Sequence, residues 1–160
     1  IGHDPNNLLQ YLIVDRGADD GLQPGMPVLT ADGLVGRISR VSLNSATVML
    51  ISDPSSSVSA LIQQSRATGL VQGHPGHELT MRYIPQGEEV EVGDVVLTSG
   101  LGGNFPKRLV IGQVASVKRS DVEMFQEARV VPAVRLRDLE MVQVLLNFTL
   151  DDEAEELVGR

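Results

Sequence analysis

His3, His74 and His77 are the imidazoles of this chain, and acid–base or metal chemistry near neutral pH would have to start from them. A His, Asp, Ser order can be assembled from His74 or His77 with Asp94 and Ser99. Nucleophilic catalysis needs those three groups to converge. Asp94 and Ser99 instead flank a single apolar run, "DVVLTS", which reads as a strand and carries them to opposite ends. No G-x-S-x-G is present either. His74-Pro75-Gly76-His77-Glu78 offers three zinc-ligand types. Its Pro-Gly pair makes a tight turn that splays the rings into solvent, and a fourth ligand is not apparent. "GLGGNF" (100–105) lacks the Lys-Ser/Thr of a phosphate loop and no helix follows it, so its glycines read as suppliers of positive φ in a long hairpin loop. The absence of Cys removes disulfides, thiol nucleophiles and Cys-based metal sites. No catalytic, cofactor-binding or metal site is therefore expected.

The elements that must position any surface are short apolar runs between turn signals, the pattern of an all-β protein. The runs are "LLQYLIVD" (8–15), "MPVLT" (26–30), "GLVGRISRV" (33–41), "SATVMLIS" (45–52), "VSALIQ" (58–63), "ATGLVQG" (67–73), "ELTMRYIP" (78–85), "DVVLTS" (94–99), "RLVIGQVASVKRS" (108–120), "QEARVVPAV" (126–134) and "EMVQVLLNF" (140–148). "VSALIQ" also suits a helical turn, but Val58, Ala60 and Ile62 alternate as in a strand. In "ELTMRYIP", Leu79, Met81 and Tyr83 share one face, with Thr80 and Arg82 on the other. In the last run Val142, Val144, Leu146 and Phe148 share one face.

The chain says one thing twice. Gly25 precedes Val28-Leu29-Thr30, then Leu34-Val35-Gly36, Ile38 and Val41. Gly93 precedes Val96-Leu97-Thr98, then Val110-Ile111-Gly112, Val114 and Val117. Order and spacing agree, which predicts two β units of one design, the second with a longer loop, "SGLGGNFPKR". Leu101 and Phe105 in that loop either plug a barrel end or stand exposed as contact residues. Phe125 is a third large apolar residue in an expected loop.

Length and charge narrow the function classes. At 160 residues, with 42% hydrophobic and 21% charged, the chain is an ordinary folded domain or two small ones. Of the net −8, about half sits in the tail from Asp151 to Arg160, with five acids against one base. The body lacks the basic footprint of a nucleic-acid binder, and without Trp it has little to stack on bases. Lys107, Arg108, Lys118 and Arg119 flank one expected strand and read as a charged sheet edge. No run approaches the ~20 apolar residues of a membrane helix. A start at Ile1 rather than Met reads as a piece cut from a longer protein.

The ordered run "VDRGADDGLQPGMPVLTADGLVGRISRVSLNSATVMLISDPSSSV", then "VGDVVLTSGLGGNFPKRLVIGQVASV" and "QEARVVPAV", resembles the extracytoplasmic region of the MreC family of bacterial rod shape-determining proteins. The resemblance spans roughly residues 1 to 148; "DGLVG", "SDPSSSV" and "TSGLGGNFP" are its most specific phrases, and the acidic ending carries none. It implies two β-barrel-like domains likened to the chymotrypsin fold but without peptidase activity. It also implies a membrane anchor in a preceding N-terminal helix, a periplasmic location on the inner membrane, self-association into oligomers or filaments, and contact with the elongation penicillin-binding protein and other membrane components of the elongation complex.

The expectation is an all-β chain of two small six-stranded barrel-like domains with few or no helices. The first covers 8–62 and is possibly completed by 140–148; the second covers 67–137; 149–160 is an acidic tail. The expected function is a non-catalytic scaffold for peptidoglycan synthesis, with Leu101, Phe105 and Phe125 as partner-contact residues. On the residues alone, two other classes stay open: a β-barrel peptidase-like enzyme, and a small-ligand or metal-binding module.

Overall fold

Branched and apolar residues that alternate with polar ones between turn signals become strands because one face of each can be buried while its backbone pairs laterally. The computed structural model describes the backbone of residues 2–3, and residues 10–119 and 122–148. Twelve strands lie among them: β1 (Gly2–His3), β2 (Tyr11–Val14), β3 (Pro27–Thr30), β4 (Gly33–Val41), β5 (Ala46–Leu50), β6 (Ser57–Ile62), β7 (Thr68–His74), β8 (Glu78–Pro85), β9 (Val95–Thr98), β10 (Val110–Lys118), β11 (Phe125–Pro132) and β12 (Gln143–Val144). Helical structure among the described residues is confined to two 3-10 turns, Ala18–Asp20 and Leu101–Gly103. The fold is all-β. The acidic tail expected at 149–160 lies outside the described residues.

Two antiparallel six-stranded sheets result. The first runs β1-β2-β5-β4-β3-β12; the second, β10-β11-β8-β7-β6-β9, closes on itself through β9 and β10. Among the described residues only the second sheet closes into a barrel. The expected boundary at residue 62 is corrected. The sequence places β6 in the first unit, but Ser57–Leu61 pair with β7 and Ala60–Ile62 pair with β9, both in the second. Without β6, β7 and β9 would face each other with unpaired backbone groups across an open gap. The last expected strand contracts to β12, which pairs Gln143 with Leu29 and Val144 with Val28. Val142 and Val144 pack on the core, but Leu146 is exposed, so the expected four-residue stripe does not form.

The repeated phrase has a repeated geometry. Gly25 and Gly93 both have φ +93°, and their amides donate to Ile38 O (2.7 Å) and Val114 O (2.8 Å). Gly36 faces Val28, and Gly112 faces Val96, with a register shift at the next step in both copies. A Cβ on Gly36 would lie 2.0 Å from Met49 O; one on Gly112 would lie 2.0 Å from Val131 O. Glycine is needed at both because a neighbouring carbonyl occupies the side-chain space. The strand orders correspond as well: β1-β2-β5-β4-β3-β12 matches β7-β8-β11-β10-β9-β6.

One apolar cluster spans both sheets, from Leu12, Val28, Ile38 and Leu50 to Ile62, Val71, Met81, Ile111 and Val130. The sheets approach closely where a Cβ on Gly33 would meet Val110 O at 2.6 Å.

Candidate partner-binding surface

Strand β8 breaks its own alternation. Met81 and Ile84 are both buried, paired opposite Ala128 and Gln126. Three residues apart in a regular strand, they would face opposite sides. A bulge solves this: Arg82 and Tyr83 together oppose the single residue Glu127, and the parity flips between them. Tyr83, which simple alternation puts with Leu79 and Met81, is therefore turned outward and is 51% exposed. It sits at φ +61°, a conformation that costs a residue with a Cβ about 1–2 kcal/mol. Strain of this kind persists where surrounding structure imposes it, and it clusters at functional sites.

The tyrosine ring meets Phe125 edge to face, with centroids 5.9 Å apart and planes at 89°. Arg82 Cζ lies 5.7 Å from the Tyr83 ring centroid. Arg82 Nε donates to Glu127 Oε1 at 3.2 Å, and its Nη1 donates to Gln72 Oε1 at 3.2 Å. Both members of this ion pair are partly solvated, so it positions the guanidinium more than it stabilises the fold. Phe125 is 41% exposed, and Val122 and Met124 beside it are more so. Arg82, Tyr83, Glu123, Met124, Phe125 and Glu127 line an open cleft of about 280 Å³.

The two expected contact residues of the long loop part company. Leu101 is 62% exposed, while Phe105 is 5% exposed and belongs to the barrel core. The Phe105 expectation is thus corrected: its ring is drawn inward by burial of apolar surface and cannot meet a partner. Positive φ at Gly100, Gly102 and Gly103 shapes this loop, and Thr98 Oγ1 holds its return by donating to Pro106 O (2.6 Å) and accepting from Leu109 N (2.9 Å). Arg119, just after β10, is held in place: its Nε donates to the buried Gln126 Oε1 and its Nη2 to Val90 O.

The polar residues do not assemble as a triad. Asp94 Oδ2 accepts from Glu91 N, and Ser99 Oγ accepts from Leu101 N, each within its own turn. The expectation that His77 splays into solvent is corrected. Its Nδ1 lies 3.2 Å from Ser52 Oγ, which also donates to Gln10 Oε1 at 2.7 Å. Asp53 Oδ2 accepts Gln10 N at 2.8 Å, and Arg137 Nη2 donates to Gly76 O at 3.1 Å. Ser52 and Asp53 are wholly buried, so this hydroxyl–imidazole contact ties the β7–β8 turn to the turn that follows β5. No group of three His, Cys, Asp or Glu side chains suited to a metal occurs among the described residues.

Comparison with known proteins decides the family. The profile described as "Rod shape-determining protein MreC, barrel core" matches residues 1–146. The chain belongs to the MreC family. The cell shape-determining protein MreC of Listeria monocytogenes is 34% identical over 150 residues, covering 91% of this chain and 51% of that protein. This chain spans about half the length of the curated MreC relatives it matches. The crystal structure of MreC from Pseudomonas aeruginosa superposes with a TM-score of 0.87 at 29% identity, covering 91% of this chain and 94% of that one. A MreC from Helicobacter pylori, in a complex with Penicillin-Binding Protein (PBP2), shares the fold at TM-score 0.56 and 24% identity, covering 66% of this chain and 65% of that one.

The bulge at Tyr83 is the feature that alternation alone passes over. Its signal is present in "MRYIP": Met81 and Ile84, two strongly apolar residues three apart, cannot both face inward without an inserted residue.

Proposed function

We propose that this MreC-family chain is the non-catalytic scaffold part of a cell-shape protein at the periplasmic face of the inner membrane, anchored through a helix outside this sequence. It organises peptidoglycan synthesis during elongation by associating with copies of itself and by binding the elongation penicillin-binding protein. The observation that carries this reading is the strained, outward-turned Tyr83 set edge to face against Phe125 among exposed apolar residues. Soluble proteins keep such patches small unless they serve recognition. A penicillin-binding protein is favoured as partner because the Helicobacter pylori relative occurs in complex with Penicillin-Binding Protein (PBP2).

The mechanism is equilibrium binding. Phe125 and Leu101 supply apolar contact, and the partner is biased towards whichever of its conformations buries them better. Among the described residues the first sheet does not close, and its outer edge at β12 offers backbone groups with which a second copy's strand would pair in self-association.

The test is capture of an elongation penicillin-binding protein ectodomain by the wild type, Phe125→Asp and Leu101→Asp. Placing a carboxylate in the patch should cut capture by Phe125→Asp at least tenfold. Undiminished capture by both variants would sink the reading.

A further inference from the structure

We infer that the cleft between Tyr83 and Phe125 receives a basic side chain, lysine or arginine, projected from the partner protein, with Glu123 as its counter-charge. This rests on the proposal that the patch binds a protein. At about 280 Å³ the cleft lies below the usual size of small-molecule sites, about 300–1,000 Å³, and suits a single long side chain.

The charges select the guest. Arg82 is engaged by Glu127 and Gln72, so those two lining charges offset each other. Glu123 is exposed and makes no hydrogen bond or ion pair among the described residues, which leaves the cleft one negative charge in excess. The walls suit a cation too. Aromatic faces attract cations within about 6 Å of the ring centroid, and Tyr83 already holds the chain's own guanidinium at 5.7 Å. An edge-to-face pair leaves ring surface open to a second cation. Met124 adds a flexible, polarisable wall for the aliphatic stem of lysine or arginine. An acidic guest would meet Glu123 and Glu127 unfavourably. A wholly apolar guest would desolvate Glu123 with no compensating partner.

The probes are N-acetyl-Leu-Arg-Leu-amide and its counterparts with Leu or Glu at the centre, titrated into the ¹⁵N-labelled chain by NMR. The Arg peptide should shift the amides of Tyr83, Met124 and Phe125 and bind more tightly than the other two. Glu123→Gln should weaken it about threefold, the scale of one exposed ion pair. Raising the ionic strength to about 0.5 M should weaken it similarly. Equal binding of the Leu or Glu peptide, or Arg-peptide binding unchanged in Glu123→Gln, overturns the inference. Capture of the penicillin-binding protein ectodomain separates the two claims. Capture lost by Phe125→Ala but unaffected by Glu123→Gln keeps the surface and overturns the basic guest; capture unaffected by either variant overturns the surface itself.

Discussion

Replacing Tyr83 by glycine and, separately, by alanine isolates the backbone strain from the chemistry of the ring. Both variants lose the contact with Phe125 and the approach of Arg82, so those terms cancel in the comparison. What differs is the backbone at φ +61°. Alanine keeps a Cβ there, at about 1–2 kcal/mol, and glycine does not. Glycine has its own cost, about 0.5–1 kcal/mol relative to alanine, from its greater freedom in the unfolded chain. The difference leaves Tyr83→Gly more stable than Tyr83→Ala by about 0.5–1 kcal/mol, the reverse of the order at an ordinary strand position. For a chain of this length that is about 1–4 °C in Tm. Differential scanning calorimetry and urea unfolding of the two variants measure it. Partner capture should fall equally in both, because the ring is absent from both. An alanine variant that melts at or above the glycine variant would show that the bulge relaxes at no cost, and the argument from strain to recognition would fail.

Two further outcomes follow from packing. Phe105→Ala should lose about 3–5 kcal/mol in denaturant unfolding, because a buried ring leaves a cavity in the barrel, whereas Leu101→Ala should stay within about 0.5 kcal/mol of wild type. Ending the chain after Glu140 removes β12 but keeps the buried Val134, Leu136 and Leu139; hydrogen exchange should then quicken in β3 and stay unchanged in β7 and β8, and unchanged exchange in β3 would deny β12 any part in holding the first sheet.

Several features were legible from the residues themselves. Alternating apolar runs between Gly, Pro, Asp and Ser clusters specify an all-β chain, because each strand's pattern is local. The twin phrases around Gly25 and Gly93 predicted two β units of one design with little side-chain room at the second glycine, and the structure supplies the crowding: a neighbouring carbonyl at Gly36 and at Gly112. The lack of Cys excluded thiol chemistry outright.

Other features belonged to the tertiary structure. Leu101 and Phe105 are both apolar residues of one loop, and only the barrel end they meet decides that one is exposed and the other buried. β6 reads as the end of the first unit; the edges of β7 and β9, which need a partner, place it in the second. His77 reads as a solvent-facing turn residue until Ser52, distant in sequence, is brought beside it. Tyr83 reads as core until the bulge opposite Glu127 reverses its side. The physical reason is the same in each case. Strand formation depends on neighbours within a few residues. Which face is buried, and which edge is paired, depends on hydrogen bonds and contacts across the whole chain, and a single inserted residue inverts every side chain beyond it.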